Sequence, residues 1–320
     1  MRTHSTAVAA AVFVLCGLTP LFAAAQTFKA PIKIIVPYAA GGGTDVLARL
    51  LAQGLAQELG QPAFVENKAG ASGQIGTQFV QTAAPNGATL LFTVDHSMIT
   101  VPLTMPSAKY DAEKDFTALG QAARSVWTLS IPARASYQDF AGYAAAVKQE
   151  EPARSYGVPF VDGAPTVIGE ALARHWGVRM VPVPYNSSSQ VIQNVMAGQI
   201  AAGITGMPEA MAVHRSGKAH VIAVSGTQRS QMLPDVPTFK ELGVEGVEFH
   251  TFLGFFAPKD LPKEMAQEFN TALRKVLADP AVLEKLNNMS LQPAPTTLEE
   301  ARDEVASTER FWKKALGSKR

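Results

Sequence analysis

Two glycine-rich turns, each between a short apolar run and an amphipathic stretch, constrain the fold more than any other feature. Residues 32–37 (IKIIVP) are a β-branched run and predict a buried strand. The turn YAAGGG at 38–43 follows, and then residues 44–59 carry Leu47, Leu50, Leu51 and Leu55 at helical spacing up to Gly60 as C-cap. Residues 63–66 read as a second strand, 67–73 (NKAGASG) as a second glycine-rich turn and 74–84 as a second helix. Turn chemistry at Pro85-Asn86-Gly87 precedes a strand at 89–94. Strand, turn and helix in alternation imply an α/β sheet, mostly parallel, with right-handed crossovers.

The pattern restarts near residue 135. Ser136, with Asp139 three places on, reads as a capping box for a helix. Strands are expected at 155–158, 178–183, 200–205 and 221–224, and helices at 165–176, 187–197 and 209–216. Residues 247–257 form an extended apolar run, and Pro262 opens a helix striped by Met265, Phe269, Leu273 and Val276. Thr297 and Glu300 form a capping box for a last helix carrying Phe311 and Trp312. The reading is of two α/β domains, each a mainly parallel sheet flanked by helices. Its boundaries are 26–130 plus 251–320 for a discontinuous first domain and 131–250 for the second.

Composition narrows the function. The 320 residues hold 28 Lys+Arg and 27 Asp+Glu, so no basic excess exists to neutralise a phosphate backbone, and no nucleic-acid partner is expected. One cysteine excludes a disulfide framework, and the six His lack zinc-site spacing, so neither metal nor cofactor is expected. Residues 1–25 read as a signal peptide: Arg2, an apolar run at 7–18, Pro20, then Ala23-Ala24-Ala25 before cleavage ahead of Gln26. A run of about 12 apolar residues is short against the ~20 that span a bilayer. Cys16 lies in that run, so the expected mature chain has no cysteine and equal acids and bases. These features fit a Gram-negative periplasm and a hinged binding protein.

The turns carry the chemistry. Glycines let backbone approach a ligand closely, and a helix start offers unpaired N–H groups and the positive dipole end. Tyr38, Ala40, Gly42, Gly43, Thr44 and Asp45 in the first turn, and Ala71, Ser72 and Gly73 in the second, are therefore candidate anion contacts. Asp45 also suits a helix-dipole partner. Both turns open at the edge where parallel strands end and ligands bind. Thr93 and Asp95, with Ser97 beyond them, follow a strand end at that edge. In the second domain, Tyr185, Asn186, Ser187 and Ser188 link strand to helix, and Thr166 holds a similar place. Catalytic readings fail on spacing. Val46 stands where a dinucleotide fingerprint needs glycine, and Gly70-Ala71-Ser72-Gly73-Gln74 misses the last glycine of a nucleophile elbow. No catalytic residue is assigned.

Taken together, PIKIIVPYAAGGGTDVLARLLA, FVENKAGASGQIGTQFV, PNGATLLFT, YDAEKDFTALG, VPVPYN, AGQI, LPDVPTFKELG and FLGFFAPKDLP resemble the Bug-type solute receptors of tripartite tricarboxylate transporters. The resemblance implies a monomeric, two-domain Venus-flytrap receptor of the periplasm. It would capture a small carboxylate on the two glycine turns and pass it to integral membrane permease subunits. A sensory role beside a membrane kinase, and more remotely a periplasmic α/β enzyme, are the alternatives. Thr166, Asn186 and Ala201 depart from the family's pattern, so the distal half of the ligand is expected to differ.

Overall fold

The computed structural model describes residues 27–161, 163–185 and 187–317. The expected signal peptide and Asn186 lie outside them. The first half runs β1 (Ile32–Val36), α1 (Gly43–Leu59), β2 (Ala63–Asn67), a 3₁₀ turn (Ala71–Gly73), α2 (Gln74–Gln81) and β3 (Thr89–Val94). A π-helical turn (His96–Thr100) then leads into α3 (Val101–Thr104) and β4 (Phe116–Ser125). A second set follows: β5 (Trp127–Pro132), α4 (Phe140–Gln149), β6 (Ser155–Val158), α5 (Ala164–Trp176), β7 (Val181–Pro184), α6 (Ser188–Met196), β8 (Ala202–Gly206), α7 (Met207–Arg215) and β9 (Ala219–Val224). The chain closes with β10 (Thr251–Pro258), α8 (Lys263–Val276), α9 (Pro280–Asn288), β11 (Gln292–Pro293) and α10 (Leu298–Gly317).

Two sheets result, ordered β11-β4-β10-β3-β1-β2 and β7-β6-β8-β5-β9. β1, β2 and β3 pair in parallel, as do β6, β7 and β8. β10 is antiparallel to both β3 and β4, and β5 to both β8 and β9. Of the reversed strands, β5 and β10 have just crossed from the other sheet, while the two-residue β11, antiparallel to β4, has not. Val126 separates β4 from β5, and residues 225–250 separate β9 from β10. A strand arriving from across the gap enters its sheet at the edge facing that gap, so it must run against its neighbours. The remaining strand C-termini therefore face the gap, with the loops that follow them.

Apolar spacing explains the layers. Leu47, Leu51 and Leu55 of α1 are fully buried on Ile32 and Ile34 of β1, with Phe269 and Leu273 of α8 in the same cluster. A second cluster joins Phe252, Phe256 and Trp312 to Tyr143, Ile168 and Leu172, so one apolar layer runs through both sheets' territory. Phe249, just before β10, meets both Phe311 and Trp312 of α10 at 5.1 Å between ring centroids.

Some expectations shift. The helix expected from Ser136 begins at Phe140, and Asp139 is its N-cap, with Oδ1 accepting from Gly142 N–H at 2.7 Å. Pairing of β4 with β10 makes a central strand of FTALGQAARS, whose small residues gave no β signal. The final capping box is present in full: Thr297 N–H donates to Glu300 at 2.8 Å, and Glu300 N–H to the Thr297 hydroxyl at 3.2 Å.

Buried Asn270 on α8 donates to the carbonyls of Leu119 at 2.8 Å and Thr296 at 2.9 Å, tying β4 to the segment before α10. Asn270→Leu leaves both carbonyls without this donor. We expect a loss of about 1–3 kcal/mol in urea unfolding; an unchanged midpoint refutes the role.

Candidate functional site

The first turn is shaped by a buried acid. Asp45, in the first turn of α1, is 3% exposed. Its carboxylate accepts from Gly41 N–H at 2.8 Å, Asn67 Nδ2 at 2.9 Å and Arg49 at 3.0 and 3.1 Å. Burial opposes its ionisation, but the bonds from Arg49, Gly41 and Asn67 outweigh burial and hold the carboxyl below the usual range. Asn67 also donates to the Tyr38 carbonyl at 3.1 Å. The acid thus folds the turn back over the helix start, with Gly41 at φ +82°, a left-handed conformation that glycine adopts freely. Ala40, Gly42 and Gly43 are exposed and Thr44 half-buried at the helix entrance. Gly42 is the N-cap, and no side chain caps the helix.

The second turn is more unusual. Gly70, Ala71, Ser72 and Gly73 have φ of +139°, +46°, +54° and +93°. Four successive positive values, two at residues with a Cβ, place strain of order 1–2 kcal/mol on each non-glycine residue. The bend is pinned by Gly73 N–H to the Gly70 carbonyl at 3.0 Å and by the Ser97 hydroxyl to the Ser72 carbonyl at 2.7 Å. Successive left-handed residues form the kind of backbone concavity that binds anions. Ala71 and Ser72 are exposed there, and α2 also starts without a side-chain cap.

Ser97 joins the two turns. It is fully buried in the π-helical turn after β3, and its hydroxyl bonds Tyr38 OH of the first turn as well as Ser72 of the second. Tyr110 OH donates to its carbonyl. A Cβ on Gly73 would come within 2.1 Å of Ser97 Oγ, so glycine is required by contact as well as by φ. Single π turns cluster at functional sites, but HSMIT carries no distinctive signal for one.

Thr93 and Asp95 lie beside this junction, 0% and 4% exposed. Thr93 Oγ1 and Asp95 Oδ1 are buried without a hydrogen-bond partner. Burial pushes the Asp95 carboxyl up to about 7, against bonds from its own and the His96 N–H and from the Thr251 hydroxyl. Burial likewise pushes the Tyr38 phenol up to about 12. Trp127 Nε1 donates to Thr251 Oγ1 at 3.1 Å, so both crossing strands meet the end of β3 here. Phe160, after β6, stacks on His96 at 4.8 Å and meets Trp127 edge-on at 5.7 Å, carrying contact across the gap.

Helix starts of the second sheet differ from one another. Ser187 caps α6 by accepting from Gln190 N–H at 3.2 Å, with Ser188 as first helical residue and Tyr185 bonded through its N–H to the Val158 carbonyl at 2.8 Å. Thr166 donates to the Val161 carbonyl at 2.7 Å and braces its own turn. At α7, Glu209 folds onto its own N–H, and burial raises its carboxyl above the ordinary range. At α5, Gly163 (φ +120°) leaves the start without a side-chain cap. A Cβ there would lie 3.6 Å from His96 Nδ1 on the opposite side of the gap. Of the second-sheet candidates, Ser187 and Thr166 are engaged within their own turns, whereas Gly163, which the spacing of PTV did not single out, leaves its helix start without a side-chain cap.

The cations near the turns are engaged. Arg49 is held by Asp45 and Asn67. Lys68 pairs with Glu66 at 2.8 Å and lies over the Phe79 ring at 4.2 Å. No cluster of three or more His, Cys, Asp or Glu side chains that could hold a metal occurs among the described residues, and no helix among them is long and apolar enough to cross a membrane.

Asp95 makes stability depend on pH. Its native carboxyl keeps a proton up to pH about 7, whereas an unfolded Asp releases it near pH about 4. Between those values the native state binds more protons, so this group's contribution falls as pH rises. Asp95→Asn should raise the melting temperature relative to wild type at pH about 8 and not at pH about 4; an equal offset at both refutes the assignment.

The comparisons agree with this fold. A UPF0065 protein of Cupriavidus necator is 32% identical over 283 residues, covering 87% of this chain and 84% of its own. BugT of Bordetella pertussis is 29% identical over 290 residues, 90% and 89% of the two chains. Among solved structures, the periplasmic binding protein BugD matches with TM-score 0.76 at 27% identity, over 91% of this chain and 97% of its own. A Rhodopseudomonas palustris protein with adipate matches at 0.79 and 25%, over 90% and 96%. MatC of the same organism, with bound malate, matches at 0.72 and 25%, over 88% and 99%. The α/β fold of two helix-flanked sheets is thus that of the periplasmic binding proteins. The family model for the tripartite tricarboxylate transporter family receptor, TctC, spans residues 47–314, and this chain belongs to that Bug-type receptor family.

Proposed function

We propose that this protein is a periplasmic receptor that captures a small carboxylate in the gap between its two sheets and delivers it to the permease of a tripartite tricarboxylate transporter. The observation that carries the reading is a set of helix starts at this gap with no side-chain cap: α1 at Gly42, α2 after the left-handed turn and α5 at Gly163, while α7 at Gly206 has Glu209 folded onto its own N–H. Unpaired N–H groups at such starts need a partner, and an anion is the natural one. Each start contributes roughly 0.3–1 kcal/mol to holding a negative charge, and up to ~2 when partly buried. The nearby cations already face acids, so backbone dipoles grip the carboxylate. Asp45 shapes the first turn and does not touch the ligand. The adipate and malate in the two structural neighbours support a carboxylate as the ligand class. The family's receptor description supports capture without chemical change and delivery to a permease.

The reading assigns Gly42, Gly43, Thr44, Ala71, Ser72 and Gly73 to the carboxylate, with α5 closing over the ligand's other end. A thermal-shift screen of dicarboxylates and hydroxy acids tests it. Saturation at a hundredfold excess over Kd adds about 2.7 kcal/mol, a clear rise in melting temperature. Gly43 has no heavy atom within 4 Å of a built Cβ and an ordinary φ, so Gly43→Val should fold normally while blocking the approach. Calorimetry should show at least about a tenfold weaker Kd for that variant. Ser187→Ala should cost about 1 kcal/mol of stability and leave Kd unchanged. Unaltered binding in Gly43→Val moves the site away from the first turn.

A further inference from the structure

The two oxygens without partners at the end of β3 do not fit a site that reads only a carboxylate. The turns offer donors, whereas Asp95 offers an acceptor beside them. Tyr38 OH is bonded to Ser97 and lies close enough to Asp95 to be affected by its charge. One side of the Asp95 carboxyl is occupied: it takes hydrogen bonds from its own and the His96 N–H and from Thr251, whose oxygen already accepts from Trp127. Oδ1 has no partner, and the Thr93 hydroxyl, near the end of β3 two residues back, has none within hydrogen-bond geometry, though it lies close enough to Tyr38 OH to favour that phenol's ionisation. Buried polar atoms in native proteins are almost always bonded, so an orphaned pair at a ligand-facing strand end marks where a ligand group belongs.

Resting on the carboxylate reading above, we propose that Asp95 and Thr93 form a second subsite that selects acids carrying a hydrogen-bond donor, a hydroxyl or an ammonium, close to the carboxylate held by the glycine turns. A simple diacid has only acceptors. Placed here it leaves Oδ1 bare and brings its own carboxylate against Asp95. A hydroxyl donates to Asp95 and accepts from Thr93, using both orphans at once. An ammonium does the first and adds charge attraction. The titratable and charged groups facing Asp95 are Tyr38 from the first turn, the adjoining His96, and Glu304 of α10, itself bonded to His250 at 2.7 Å and Arg124 at 2.9 Å. Glu304 is already paired with those two groups, which leaves Asp95 to the ligand. Protonation of Asp95 below pH about 7 removes its charge and leaves a carbonyl acceptor, so the preference for an ammonium should weaken there while that for a hydroxyl largely persists.

Calorimetry on the wild-type chain with two matched series tests this: succinate, malate and aspartate, and adipate, 2-hydroxyadipate and 2-aminoadipate. In at least one series the donor-bearing acid should bind about tenfold or more tighter than the plain diacid at pH about 8, and the ammonium acid's ratio should shrink at pH about 5. Asp95→Asn keeps an amide oxygen but no charge, so it separates the sources. A hydroxyl ligand should retain most of its preference, and an ammonium ligand should lose it. Asp95→Leu should abolish both preferences. Plain diacids binding as tightly as their substituted partners would overturn the subsite and leave the receptor reading standing. If no acid of either series binds, both fall. A preference unchanged in Asp95→Leu would also overturn it.

Discussion

A helix start that no side chain caps needs another partner for its N–H groups. This constraint organises the site. α4, α6 and α9 are closed by Asp139, Ser187 and Asp279 in the ordinary way. The starts of α1, α2, α5 and α7, which face the gap between the sheets, carry glycine instead, and only at α7 does a side chain, Glu209, fold onto an N–H of the first turn. Topology brings them together. The reversed entry of β5 and β10 turns both sets of strand C-termini toward the gap, and the helices following those strands begin there. One architectural fact, that the chain crosses between sheets, therefore sets the electrostatic character of the gap.

Holding such starts in place has a cost, and the structure shows where it is met. The left-handed run from Gly70 to Gly73 persists because buried Ser97 bonds its carbonyl. Asp45 holds the first turn with a carboxylate that is fully engaged. Neither residue need touch a ligand to matter. Both make the backbone rigid before a ligand arrives, which limits the ordering cost of binding. The same junction leaves Thr93 and Asp95 unsatisfied, and such imbalance in a well-packed protein concentrates at functional positions.

Strongly periodic elements were legible because their signal is local. Leu47, Leu51 and Leu55 specify one face of α1 whatever it packs against, and the Thr297–Glu300 box marks a helix start within four residues. The glycine turns were legible for the same reason. Less local features were not. β4 is a strand because β10 lies beside it, and β10 arrives more than a hundred residues later. Ser187 looked like a ligand contact and is a cap; Thr166 looked the same and braces its own turn. A hydroxyl before a helix serves either purpose, and only its partner distinguishes them.

Local pattern alone settled the α/β class, the two strand–turn–helix sets and the glycine bends suited to an anion, because hydrophobic period and glycine placement act over a few residues. Tertiary packing decided the rest. It chose which helix starts stay open, gave Ser97 its place between two turns, turned Asp45 inward and left Asp95 buried with a raised pKa. Those outcomes depend on distances between residues such as Tyr38 and Ser97, 59 positions apart in the chain. No local propensity encodes such a distance; it exists only once the sheets have formed.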